Sequence, residues 1–138
     1  MQNNKFMYQF KNEPESWQRL DYQIIQSGFV KQYKNTETLK ADINWFEKSN
    51  YVIKDFDCVG WNNKELMYDD LHAKFDFPVY FGRNLDALQE SLNEQEVLNS
   101  GTIVVFKNFD KINTETAHDL LDIFVRTARF HSTFGERI

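Results

Sequence analysis

At 138 residues, 41 % hydrophobic and 27 % charged, the chain has the length and composition of one globular domain with a single core. Its aromatic residues, 16 % of the total, are spread among charges, and no apolar run approaches the roughly 20 residues of a membrane span. The formal charge of −5 disfavours nucleic acid, whose phosphates would repel it, and favours a cationic protein as partner.

The opening residues, Met1 to Lys5, contain no apolar segment of signal-peptide length, so a cytoplasmic location is expected. Cys58 is the lone cysteine and can form no internal disulfide, which fits a reducing compartment. No repeat, low-complexity tract or flexible linker interrupts the chain.

Pro14 suits the first turn of a helix running to about Gln26, with Trp17, Leu20, Ile24 and Ile25 on one face and Gly28 as its stop. Phe29 to Tyr33 reads as a short strand. Asn35 or Thr36 caps the next helix, in which Leu39, Ile43 and Phe46 recur at helical spacing, and Asn50 ends it. Tyr51 to Phe56 reads as a second strand. Asn62, followed three residues later by Glu65, opens a helix through Met67, Leu71 and Phe75 that Pro78 breaks. A tight loop then feeds a helix starting near Asn84. Thr102 to Phe106 is an apolar strand, and Glu115 to about Phe130 is a helix with Ala117, Leu120, Leu121, Phe124, Val125 and Ala128 in one stripe. Strands alternating with helices predict an α/β fold, a small parallel sheet of three to four strands with helices packed against it.

The charge is unevenly placed. Tyr51 to Ser100 holds ten carboxylates and four cations, a net of −6, while residues 1–50 carry +1 and residues 101–138 are neutral. Within it, the helix from Asn84 sets Leu85, Leu88 and Leu92 on one side and leaves Asp86, Gln89, Glu90 and Asn93 pointing elsewhere. Asp86 and Glu90 stand four residues apart on one face, where like charges cost a few tenths of a kcal/mol. The bland reading is a solvated helix with Asp86 supporting the dipole at its N-terminus.

The run Tyr80, Phe81, Gly82, Arg83, Asn84, Leu85, Asp86, Ala87, Leu88, Gln89, Glu90, with Leu71 to Asp76 and Phe77-Pro78 before it, resembles barstar, the intracellular inhibitor of the ribonuclease barnase. The resemblance continues more loosely from Tyr51 to about Ser132, so that residues 51–138 are the barstar-like region of a single domain. Residues 1–50 look like the N-terminal extension of longer barstar-like proteins, expected to add a strand and helices and to be integral to the fold. The family carries a last strand after its final helix, whereas this sequence stops at Ile138.

The resemblance implies a non-enzymatic inhibitor, an immunity protein needing no cofactor, that blocks the active site of a cationic ribonuclease toxin by phosphate mimicry. Carried over by position, Tyr80, Gly82, Asn84, Asp86 and Glu90 match the family's loop and helix, and the partner-binding set is completed by Phe81, Gln89 and Asn93. Gln89 stands where barstar has a tryptophan, and Glu90 where it has an aspartate. Arg83 replaces an acidic residue, and Arg126 falls where the family has a glutamate. These departures imply a cognate nuclease other than barnase.

Two rival functions have weaker sequence support. A small α/β enzyme would use Cys58, which follows a strand, with His72, or would use Asp86 and Glu90 as an acid/base pair. A regulatory module would bind a basic protein other than a nuclease. His72, His118 and His131 show no metal-ligand spacing, and Gly82 belongs to no phosphate-cradling motif. Trp17, Trp45 and Trp61 are assigned to packing.

Overall fold

The computed structural model describes residues 10–138; the opening residues Met1 to Lys5 lie outside that range. The described elements run α1 (Pro14–Trp17), α2 (Leu20–Gln26), α3 (Thr36–Lys48), β1 (Tyr51–Asp57), α4 (Lys64–Phe75), α5 (Leu85–Asn93), β2 (Gly101–Lys107) and α6 (Thr114–Ser132). β1 and β2 pair in parallel from Tyr51 opposite Gly101 to Asp57 opposite Lys107. A two-stranded sheet is among the described residues, rather than the three to four strands expected.

The absent strand is the one expected at Phe29 to Tyr33. Gly28 (φ 93°) and Phe29 (φ 73°) both adopt left-handed backbone as α2 ends, with the Phe29 amide donating back to the Ile24 carbonyl at 2.9 Å. Two successive positive φ values turn the chain out of the extended conformation, and the segment proceeds to α3 without a strand partner among the described residues. The single helix expected from Pro14 to Gln26 is two, because Arg19 between them is extended (φ −69°, ψ 140°). Trp17 is accordingly 47 % exposed, with its indole N–H donating to Asn12 Oδ1 at 3.2 Å.

Asparagines start the larger helices. The side chains of Asn35, Asn63, Asn84 and Asn113 accept hydrogen bonds from the amides of Thr38, Leu66, Ala87 and Glu115, satisfying donors that the first turns leave orphaned. The cap of α4 is thus Asn63, one residue beyond the expected Asn62.

Parallel strands are normally covered on both faces, since a bare two-stranded sheet is marginal in water. Here α3 packs against β1, with Ile43 and Glu47 sharing a cleft with Ile53 and Asp55. The main core gathers Phe56, Trp61, Met67, Leu71, Phe75, Phe77, Phe81, Leu88, Leu92, Leu120 and Ile123 between the sheet and α4, α5 and α6. Phe56 lies at its centre, with Phe75, Phe106 and Trp61 ring centroids at 5.9, 5.5 and 5.8 Å. Trp61 also directs its indole N–H to Asp70 at 2.9 Å.

A polar cluster joins the ends of the chain. Asp21 of α2 is 3 % exposed and accepts from Arg19 at 3.0 Å, from the Tyr51 hydroxyl at the start of β1, and from Arg137 at 3.3 Å. Arg137 also donates to the Tyr51 oxygen at 3.2 Å and lies over the Phe10 ring at 4.0 Å. Its carbonyl accepts from the Thr102 amide at 2.9 Å, so the C-terminal segment is bonded to the start of β2. Gly101 makes the approach possible: with φ 147°, a Cβ there would lie 2.6 Å from the Arg137 carbonyl oxygen.

Burial pushes the Asp21 carboxyl up, but hydrogen bonds from Arg19 and Tyr51 and the charges of Arg19 and Arg137 outweigh it and hold the group below its ordinary 3.8. A carboxyl depressed by folding contributes stability that is present above that ordinary value and is lost as pH falls through the lower, folded one. Asp21→Asn is therefore expected to cost on the order of 3 kcal/mol at pH 7, as when one member of a buried ionic cluster is removed. The difference from wild type in urea unfolding should shrink steadily on acidification below pH ~4; an equal difference at pH 7 and pH 3 would show that the ionised carboxylate is not the link.

Candidate functional site

The loop between α4 and α5 is held at both ends. α4 stops where Asp76 takes left-handed backbone (φ 53°), with the Phe77 amide bonded to the His72 carbonyl at 3.1 Å. Phe77 then enters the core, and four residues on Phe81 does the same, their rings 4.9 Å apart. The Phe81 amide donates to the Pro78 carbonyl at 2.9 Å, closing a tight turn whose central residues are Val79 and Tyr80. These two apolar side chains, 97 % and 81 % exposed, stand in solvent on a turn anchored by buried aromatics. His72 supports the turn from behind, donating from Nε2 to Pro78 at 3.2 Å while its ring stacks on Phe81.

Phe81, expected in the partner-binding set, is thus a core residue, 8 % exposed. Gly82, which follows, is exposed, and a Cβ there would press on Asn84 Nδ2 at 3.2 Å and Ala87 Cβ at 3.3 Å. Arg83 adopts left-handed backbone (φ 51°), a conformation that costs a non-glycine residue about 1 kcal/mol or more. Its guanidinium is ion-paired with Asp69 of α4, which ties the loop's cation back to the scaffold. Asn84 donates to the Gly82 carbonyl at 3.2 Å while capping α5.

On α5 the leucine side is as expected: Leu88 and Leu92 are fully buried and Leu85 half-buried. The polar side divides. Gln89 and Asn93 are half-buried and turn toward α6, with Gln89 Nε2 donating to Asn93 Oδ1 and to the buried Thr127 hydroxyl, both at 3.0 Å. Gln89 Oε1 is buried with no hydrogen-bond partner among the described residues. Gln89 therefore belongs to the α5–α6 seam rather than to a free outer face.

Asp86 and Glu90 remain exposed with no ion pair among the described residues. Glu94, the residue after α5, extends their four-residue spacing, so that three carboxylates follow one another along the helix; the sequence analysis names only the first two, although the 86–90–94 spacing is legible in the sequence. By contrast, Asp55, Asp69 and Asp70 are paired with Lys107, Arg83 and Lys74. Asp57 accepts from the Val59 amide and Asn108. Glu65 and Asp76 are likewise outside any ion pair among the described residues, but four such carboxylates, Asp86, Glu90, Glu94 and Glu96, lie together on and just beyond α5. Arg126 of α6 is bridged to Asp122 at 2.7 Å in an exposed pair, which offsets its charge locally.

Cys58 lines a cleft of about 490 Å³ at the carboxyl ends of the strands, together with Trp61, Met67, Lys64, Lys111 and Asn113. Burial, then the charges of Asp57 and Asp70, push its thiol up to about 12, so at neutral pH it is a protonated, poorly nucleophilic group. His72 is engaged with Pro78 and Phe81 instead of activating it. No group of three His, Cys, Asp or Glu side chains among the described residues is arranged to hold a metal. No helix among them is long and apolar enough to cross a membrane.

The architecture is that of a small α/β protein, a parallel strand pair under a helical layer, in which an acidic helix follows an anchored loop. Residues 51–137 match the family described as Barstar (barnase inhibitor), and the chain belongs to that family. It is also 42 % identical over 66 residues to a Bacillus subtilis (strain 168) protein named "Putative ribonuclease inhibitor YrdF", a match spanning 46 % of this chain and 70 % of that protein. No solved structure matches the chain.

The division between core and surface in the loop is directly testable. Phe81→Ala is expected to destabilise the fold by about 3–5 kcal/mol, the usual cost of deleting a buried phenyl ring. Tyr80→Ala should change stability by less than about 0.5 kcal/mol. Chemical unfolding of the two variants compares them, and equal effects would contradict the anchored turn.

Proposed function

We propose that this chain is a non-enzymatic inhibitor of a cationic ribonuclease, acting as an immunity protein in the cytoplasm of the cell that makes the toxin. Membership of the barstar family and the likeness to a protein named as a ribonuclease inhibitor support the class. The observation that carries the mechanism is the line of unpaired carboxylates Asp86, Glu90 and Glu94 beside the exposed Val79–Tyr80 turn, all on a buried leucine and phenylalanine foundation. Carboxylates so placed occupy the positions of RNA phosphates and form charge-assisted hydrogen bonds with the Arg, Lys and His groups of the enzyme. Tyr80 and Val79 supply an apolar contact next to them, the kind of anchor that carries binding energy once water is excluded. Tyr80, Gly82, Asn84, Asp86 and Glu90 remain the binding set. Phe81 and Gln89 act by holding it in place, and Asn93 by its bond to Gln89.

Asp86→Ala and Glu90→Ala should leave stability unchanged or slightly raised, because each removes a like-charge neighbour from an exposed face. Each should weaken binding by about 2–5 kcal/mol, a range whose measured examples include a nuclease–inhibitor pair of this family, by stranding a buried cation on the enzyme. RNA protection against the cationic ribonuclease captured from the native host then falls by tens to thousands of fold. Wild-type inhibition by both variants would remove α5 from the inhibitory surface.

The net −6 of residues 51–100 should also steer encounter. Stopped-flow association from about 20 to 500 mM salt is expected to slow steeply as the Debye length shrinks from roughly 20 to 4 Å. A salt-independent on-rate would argue against steering.

We further propose that residues 1–50 and 51–138 fold as one domain, supported by the bonding of Asp21 to Tyr51 and Arg137. Deleting residues 1–50 should abolish cooperative melting. A truncated chain that melts cooperatively and inhibits normally would make the extension an accessory.

A further inference from the structure

Four exposed apolar side chains stand at the two ends of α5: Val79 and Tyr80 on the turn before it, Phe130 and Phe134 beside its last turn. Phe130 and Phe134 are 41 % and 55 % exposed with ring centroids 5.3 Å apart, the one pair of exposed aromatics in ring contact among the described residues. An apolar side chain exposed singly is ordinary, whereas adjoining ones mark a contact surface.

The pair stands on a firm base. Phe130 meets the ring of the buried His131 edge-on at 5.5 Å, and the Nε2–H of that ring donates to the Leu92 carbonyl of α5 at 2.9 Å. Beyond the end of α6, the Phe134 and Glu136 amides both donate to the His131 carbonyl at 3.0 Å, which holds Phe134 beside Phe130.

α5 and α6 run side by side in the same direction, since Gln89 meets Thr127 and Leu92 meets His131. Residues four apart share a helix flank, so Arg126, Phe130 and Phe134 form a strip along α6 as Asp86, Glu90 and Glu94 do along α5. At about 100° per residue, Phe130 lies on the side of α6 opposite the buried Ala128 and next to the side that meets α5. Arg126 is offset by its bridge to Asp122, so the strip does not oppose a cationic partner. The turn and the acidic strip alone offer Val79, Tyr80, Asp86, Glu90 and Glu94, far short of the roughly 20–30 residues that one side of a stable interface uses. A partner seated there must spread onto a neighbouring element, and α6 is the one most extensively packed along α5.

We propose that Phe130 and Phe134 are a second apolar anchor for the cationic ribonuclease, seating on an apolar rim of the enzyme next to its cationic site. The proposal rests on the reading of α5 as the inhibitory helix. With the Val79–Tyr80 turn, the pair brackets the carboxylates over a helix length of about 14 Å. Apolar closure at both ends excludes water from the charged contacts between them, which strengthens those contacts.

The test measures dissociation of the full-length chain from the cationic ribonuclease captured from the native host, by displacement with excess unlabelled chain. Phe130→Ala and Phe134→Ala should each speed dissociation roughly five- to thirtyfold, with the on-rate and its salt dependence unchanged. Phe134→Tyr keeps the ring and should dissociate as wild type does. Urea unfolding checks that the variants fold; Phe134 lies outside α6, so its removal leaves the helix whole. Wild-type dissociation by Phe134→Ala would overturn the anchor. So would a dimer of the free chain, seen by sedimentation, that Phe134→Ala dissolves, because a second copy would then be the occupant. Faster dissociation of the phenylalanine variants beside wild-type inhibition by Asp86→Ala and Glu90→Ala would instead overturn the reading of α5 and leave the anchor standing.

Discussion

The buried carboxylate of Asp21 is the constraint around which the ends of this chain are organised. A desolvated charge is costly unless it is paired and hydrogen-bonded, and Asp21 meets that requirement only when α2, the first residue of β1 and the C-terminal Arg137 arrive together. None of these partners can satisfy it alone. The cluster thus converts three sequence-distant segments into one cooperative condition, and it does so beside a sheet of two strands, which has little stability of its own. Gly101 belongs to the same condition, since only a residue without Cβ lets the Arg137 backbone approach the start of β2.

From that frame outward, the proposed binding face is rigid for reasons that are mostly aromatic. Phe77 and Phe81 flank the Val79–Tyr80 turn and bury their rings on Tyr68, His72 and Phe75, so the turn protrudes without being loose. The left-handed Arg83 and the Asn84 cap then set the start of α5, and Leu88 and Leu92 fix its rotation. A surface that presents charge to a partner gains from this ordering, because side chains and loops already in place lose less entropy on binding.

What the sequence revealed and what it hid follow the range of the interactions involved. The caps at Asn35 and Asn84, the leucine side of α5 and the two strands were legible because each depends on spacing within a few residues. The strand expected at Phe29 to Tyr33 failed because apolar alternation says nothing of backbone sign, and two left-handed residues there redirect the chain. The inward turn of Gln89 and Phe81, both expected among the partner-binding residues, is not legible in the sequence because their partners, Thr127 and His72, lie on other elements. The role of Asp21 is hidden for the same reason: beyond its neighbour Arg19, its partners Tyr51 and Arg137 are 30 and 116 residues away.

The acidic helix also shows how stability and binding are separated in this molecule. Asp86, Glu90 and Glu94 repel one another at four-residue spacing, and among the described residues no cation offsets them, whereas Asp69, Asp70 and Asp55 are each matched by a nearby base. At a few tenths of a kcal/mol per like-charge pair, the cost is small beside the burial of Leu88 and Leu92, worth about 1.5–3 kcal/mol each. The helix therefore tolerates a charge pattern that only an external cation would relieve. His131 makes that tolerance easier to understand: its Nε2–H donates to the Leu92 carbonyl at 2.9 Å and holds the C-terminal end of α5 from the buried side, without touching the carboxylates on the exposed one.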